Sequence, residues 1–214
     1  MVTLTSFEKE LAALIGRPTG LRPFVCDGSP LECQAFIVGF NPATTLSADF
    51  WEFWRTDYGF DKAAWLEAYK KDRQDRPLRP KQKRRNLIST TRRVLDWMSE
   101  AASPIRCLET NIYSAPTEQA ADLAFHCRVT TPFDFLLAAL RPNIIVAHGD
   151  DAVAYLQQMK LSAQVIPVSH LSRGWSREAA AALGQKVKTA CANAQPIIPP
   201  DLAHEAAQAG EFKR

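Results

Sequence analysis

The 214-residue chain has no uninterrupted apolar stretch near the roughly 18 residues that a membrane span requires. Its first residues, Met1-Val2-Thr3-Leu4-Thr5-Ser6, lack the basic and apolar regions of a signal peptide. A soluble, cytoplasmic protein is therefore expected. Cysteine is scarce: Cys26, Cys33, Cys107, Cys127 and Cys191 make an odd number, and no pair is spaced as C-x-x-C. That argues against a disulfide framework or a structural zinc site and for reduced thiols. No G-x-x-x-x-G-K-[ST] or G-x-G-x-x-G occurs, so neither a P-loop nor a dinucleotide fold is supported. A G-x-S-x-G elbow and an H-E-x-x-H helix are missing too. There is no internal repeat and no low-complexity tract.

What is present is a set of four short apolar runs, each ending in a polar group. Ala35 to Phe40 leads into Asn41-Pro42, and Ile105 to Thr110 leads into Asn111. Asn143 to Ala147 leads into His148-Gly149-Asp150, and Gln164 to Ser169 leads into His170. Short runs separated by helical stretches read as parallel strands of an α/β sheet. Ligands bind outside the carboxyl ends of such strands. Asn41, Asn111, His148 and His170 are thus expected to face one crevice. The acidic residues after His148 could suggest a metal, but a Gly turn followed by Asp is how a strand enters a helix, so no metal is expected.

Between these runs the pattern is helical. Ser6 to Gly16 reads as a first helix with Ser6 as its cap. Ser47 to about Lys71 reads as a helix with a heavy aromatic load, and Asn86 to Ala101 as another. Pro116 to Ala124 reads as loop. Further helices are expected from Thr131 to Leu140, from Ala152 to Met159 behind Asp150 or Asp151, and from about Ser176 to Ala194. Residues 44–101 then form a helical insertion between the first two strands, and 195–214 a tail. Aromatics at helical spacing usually form core, which suits Trp54, Tyr58 and Trp65.

The net charge of +3 hides an asymmetry. Between Lys70 and Arg93 lie eleven basic residues and two acidic ones, Asp72 and Asp75, so this segment carries +9 and the remainder of the chain −6. A block of this kind is either a solvated surface or a phosphate-contacting arm, with Lys83, Arg84 and Arg85 at its centre.

Gly39-Phe40-Asn41-Pro42 resembles the first motif of the uracil-DNA glycosylase superfamily, whose mismatch-specific branch carries Gly-x-Asn-Pro at this place. His170-Leu171-Ser172-Arg173 is similar to that superfamily's second motif, usually written His-Pro-Ser-Pro. Leu108-Glu109-Thr110-Asn111 resembles the strand whose terminal Asn reads the flipped base. The ordered set spans roughly Phe36 to Ala190.

The resemblance implies a monofunctional DNA glycosylase acting on uracil or another deaminated base, with DNA as partner and neither metal nor cofactor. Asn41 and His170 would be catalytic, Asn41 positioning water through its amide oxygen and His170 donating to the departing base. Gly39, Phe40 and Asn111 would hold the base, with one of Phe50, Trp51, Phe53 or Trp54 stacked on it. Leu171 would be the wedge that replaces the extruded nucleotide, with Ser172 and Arg173 at the phosphates. The sequence departs from the pattern where Leu171 and Arg173 replace the prolines, and Ala43 stands where a glycine or a Pro-Tyr-His run is common. The cysteines also lack the spacing that some branches use for an iron–sulfur cluster. The expected fold is a three-layer α/β/α sandwich around a four-stranded parallel sheet. A catalytically silent module that binds nucleic acid or a nucleobase is the alternative, and a small-molecule enzyme on the same scaffold a third.

Overall fold

The computed structural model describes residues 2–43, 46–78, 83 and 85–194. In chain order the elements are α1 (Leu4–Ile15), β1 (Phe24–Val25), β2 (Ala35–Gly39), β3 (Trp54–Arg55), β4 (Gly59–Phe60), α2 (Lys62–Asp75) and α3 (Thr90–Ala102). There follow β5 (Cys107–Asn111), α4 (Thr131–Leu140), β6 (Ile144–His148), α5 (Asp150–Gln157), β7 (Gln164–Val168) and α6 (Arg177–Asn193). Short 3-10 turns cover Phe50–Phe53, Ala120–Asp122 and Phe125–Cys127, among others. The tail from residue 195 lies outside the described residues, as does Arg84.

The fold is mixed α/β on a mostly parallel sheet of five strands, ordered β1-β5-β2-β6-β7. The four expected strands pair in parallel. The difference from the expected sheet is β1, a two-residue edge strand antiparallel to β5. Phe24-Val25 is too short to carry a period-two signal, so only its pairing reveals it. No helix among the described residues is long and apolar enough to cross a membrane.

The central strands β2 and β6 are continuous apolar runs because both of their faces are covered, whereas the edge strand β7 buries fully only Ile166. Every residue of β2 is buried. Phe36 and Val38 join a cluster with Phe7, Leu11, Phe133 and Leu136 from α1 and α4. Ala35 and Ile37, pointing the other way, join Val94, Met98, Leu183 and Val187 from α3 and α6. Burial on both sides explains why β2 and β6 lack alternation. The backbones of α3 and α6 meet closely because Gly184 offers no Cβ; one placed there would lie 2.3 Å from the Met98 carbonyl oxygen.

Residues 47–71 are not one helix. Asp49 caps a single 3-10 turn reciprocally with Glu52. The chain then doubles back as the β3–β4 hairpin, where Asp57 and Gly59 both take positive φ. Gly59 abuts the Gly28 carbonyl so closely that a Cβ would sit 2.4 Å from its oxygen. Trp54 and Trp65 are core, but Tyr58, at the hairpin tip, is 48% exposed. Its hydroxyl donates to Asp27 instead. Smaller shifts occur at helix starts. Thr3, not Ser6, caps α1, with Ser6 closing a capping box from the third position. Gly149 occupies the cap position of α5, which begins at Asp150. Ser89 caps α3, whose first residue, Thr90, lies four residues after the expected start at Asn86.

Candidate functional site

The carboxyl ends of β5, β2 and β6 lie side by side, with Gly39 paired to Asn111 and Val38 to Ala147. Strand alternation sends Asn111 and His148 to the same face as Ile37. Between them stands Gly39. A Cβ on Gly39 would lie 2.6 Å from Asn111 Oδ1 and 2.9 Å from His148 Nε2. The glycine is therefore what lets an amide and an imidazole converge over the middle strand. Gly149 plays the same part for His170, whose Cδ2 would be 3.1 Å from an added Cβ. The two imidazoles meet edge to face, with centroids 5.3 Å apart.

These side chains open on a cavity of about 370 Å³, within the usual range for small-ligand sites. Asn41, Asn111, His148 and His170 all line it, as do Phe50 and Phe53. The orientation of Asn41 is fixed by a chain of donors. The Thr117 hydroxyl donates to the Gln119 carbonyl at 2.7 Å, so it can only accept from Asn41 Nδ2, also at 2.7 Å. A second acceptor, the Ala115 carbonyl, lies 3.5 Å from Nδ2. Asn41 Oδ1 is left as the acceptor for a ligand or a water.

His170 has a fixed tautomer as well. The Ser172 backbone N–H donates to His170 Nδ1 at 3.2 Å, and Ser172 Oγ lies 2.7 Å from the same nitrogen. With Nδ1 accepting, the neutral ring carries its proton on Nε2. His148 differs: burial, reinforced by the neighbouring His170, pushes its pKa down to about 4. It is a neutral imidazole at physiological pH, and its Nδ1 is buried without a hydrogen-bond partner among the described residues.

The structure places other expected site residues elsewhere. Leu171 is wholly buried in the core beside Ile37, Val146 and Leu183, so it is no exposed wedge. The apolar side chain after His170 closes the sheet-to-α6 packing, which a lone exposed leucine could not do. Trp51 packs on Phe50 and Trp54, donates its indole N–H to the Gly16 carbonyl and lies under the Arg17 guanidinium. Phe40 turns onto Tyr113. Neither Trp51 nor Phe40 lines the cavity wall. Arg173 and Lys83 are exposed, whereas Arg85 is half-buried and donates to the Pro77 carbonyl.

Four cations stand at or beside the cavity without a local signal of their own. Arg22 and Arg73 line the cavity, brought there by the loop before β1 and the last turn of α2. Arg92, expected on a basic surface, is buried at the cavity's inner wall, where it makes a bidentate pair with Glu109. Lys62 donates to the same carboxylate at 2.9 Å. Burial works to raise the pKa of Glu109, but Arg92 and Lys62 outweigh it and hold the carboxylate below its ordinary value. A glutamate inside an apolar strand, Cys107-Leu108-Glu109, was the signal that a buried cation had to exist.

No protein-family model matches the chain. No curated protein is significantly similar to it in sequence. The site is therefore read from its own chemistry.

Proposed function

We propose that the chain is a cytoplasmic DNA glycosylase that hydrolyses the N-glycosidic bond of uracil or another deaminated base after the nucleotide is flipped. The observation that carries this is the pairing, in one cavity, of an amide oxygen and an imidazole Nε2–H whose orientations are both set by neighbouring hydrogen bonds. Asn41 Oδ1 holds a water by accepting one of its protons. His170 Nε2–H donates to a carbonyl oxygen of the base. As the C1′–N bond breaks, its electron pair leaves with the base, and the donor meets the charge that develops on that oxygen. The water oxygen bonds to C1′ and loses its proton to solvent, since an amide is too weak a base to keep it. Asn111 offers a donor and an acceptor to the base edge, and Phe50 or Phe53 supplies an aromatic wall. On this proposal the helices form two layers over a central four-stranded parallel sheet, with β1 as an accessory edge.

The burial of Leu171 refines the substrate. With Leu171 in the core, the wedge expected after His170 is not available, so single strands and mismatched positions, which need less help in flipping, are favoured. The same observation supports the alternative reading, a catalytically silent module that binds nucleic acid or a nucleobase. Single-turnover incubation with labelled oligonucleotides bearing uracil, hypoxanthine, xanthine or mismatched thymine, single- and double-stranded, separates the two. Alkali-labile abasic sites from the wild type, absent for Asn41→Ala, support the enzyme. Binding without strand loss after alkali leaves the silent module.

A further inference from the structure

At the inner wall of the cavity, Arg92, Glu109 and Lys62 form a cluster of charge on the buried sheet. Glu109 lies two residues before Asn111 on β5, on the same face and roughly 7 Å deeper by the rise of a strand. At that level stand Arg92, Ile37 and Leu95, with Trp65 alongside. Arg92 is only 4% exposed, and its guanidinium sits 5.2 Å over the Trp65 ring. Asp96, half-buried nearby, is pushed toward its neutral form by burial.

The wall is a donor surface. Glu109 accepts from Arg92 Nη1 at 3.1 Å, from Arg92 Nη2 and from Lys62 Nζ, so its oxygens are turned to those cations. A guanidinium has five N–H donors and no acceptor. Two of them go to Glu109; the others belong to a side chain that borders the cavity. The step of roughly 7 Å along β5 from Asn111 to Glu109 is on the order of the width of a nucleobase. On the base-binding reading, a base held by Asn111 would extend toward Arg92, which lines the same cavity.

We propose that Arg92 is the specificity-determining residue of this cavity, accepting bases whose inner edge carries a carbonyl oxygen and rejecting those with an amino group there. Glu109 and Lys62 are positioning residues that hold the guanidinium flat against the cavity. A carbonyl accepts from the guanidinium. An amino group sets donor against donor and leaves buried N–H groups of Arg92 without an acceptor, which costs more than a missing contact. Deamination makes this same exchange of amino for carbonyl, in cytosine to uracil and in adenine to hypoxanthine. The inference rests on the base-binding reading and names what that site selects.

Calorimetric titration of the full chain with free bases tests it, using the pairs uracil against cytosine and hypoxanthine against adenine. The wild type is expected to bind the carbonyl member of each pair at least about tenfold more tightly. Arg92→Ala would strand the Glu109 carboxylate, so two gentler variants serve. Arg92→Lys keeps the charge and removes the planar fork. Arg92→Met with Glu109→Gln removes both charges at similar volume. Loss of most of the preference in the double variant, with a partial loss in Arg92→Lys and a melting temperature showing that both fold, supports the role. Equal or undetectable binding within both wild-type pairs overturns it, as does an undiminished preference in the folded double variant. Carbonyl preference without base release from DNA removes the glycosylase and keeps the selector; release without the preference does the reverse.

Discussion

At the scale of single residues, the site depends on one missing side chain and one uncharged ring. Gly39 carries no φ constraint that calls for glycine; its role is steric, and Asn111 Oδ1 and His148 fill the space of its Cβ. Gly39→Ala is expected to destabilise by roughly 1–3 kcal/mol through overpacking. Base binding should fall further than this loss implies, because Asn111 must move. Denaturant titration beside ligand titration checks both; unchanged binding would show that Asn111 does not read the ligand. His148 gives a pH prediction. Its pKa falls from 6.5 to about 4 on folding, first through burial and then through His170. Above the higher value both states are neutral and nothing is gained or lost. As pH falls below it, the unfolded chain takes up a proton that the native ring refuses, so stability declines until the lower value is passed. The full loss is about 3 kcal/mol. Stability measured across that window should slope less steeply in His148→Gln, and an identical slope would mean the native ring protonates freely.

At the scale of elements, α3 is held from two sides. Its Arg92 reaches the sheet, and its Met98 and Ala102 lie against α6 over Gly184. Gly184→Ala sets two effects against each other. Helix propensity favours alanine by up to about 1 kcal/mol. The added methyl would lie 2.3 Å from the Met98 carbonyl oxygen and 2.8 Å from Ala101 Cβ, both parts of a packed helix. Overpacking of about 1–3 kcal/mol wins. A lower melting temperature is expected; a higher one would show that the two helices can part at little cost. The element most misread was 47–71, and the reason is local. A dense set of aromatics imitates a helical stripe, while Asp57-Tyr58-Gly59 carries a positive-φ turn whose importance depends on Gly28 lying opposite.

At the scale of the whole molecule, charge is divided between surface and interior. Among the described residues, the cations of the basic segment from Lys70 to Arg93 do not act alike. Arg76 pairs with Asp72 at 2.6 Å, Arg73 donates to the Asn86 carbonyl, and Arg92 is buried. Lys71 and Arg93 are exposed, and so are Lys83 and Arg173, two of the residues expected at phosphates. If these two meet phosphates, replacing both with glutamine should flatten the dependence of log affinity on log salt by about 0.9 per contact on duplex DNA, or about 0.7 on a single strand. An unchanged slope would make both ordinary surface cations. Arg22 and Arg73 add cations at the cavity itself.

The sequence by itself determined the four parallel strands and the polar residue at the end of each; in β2 and β6 the reason is burial on both faces, which demands a continuous apolar run, while β5 and the edge strand β7 are short segments between helices, less completely buried. It also determined α4, whose bounds coincide with Thr131 to Leu140, since proline and a clear apolar period act within the segment. Tertiary structure decided whatever depends on a partner far along the chain. The Asn41 amide is turned by Thr117, seventy-six residues away. Leu171 became core rather than wedge because α6 returns over it, and Arg92 became interior because Glu109 waits on the sheet. Local pattern specifies how a segment folds. What each side chain then touches is fixed only when distant segments close around it.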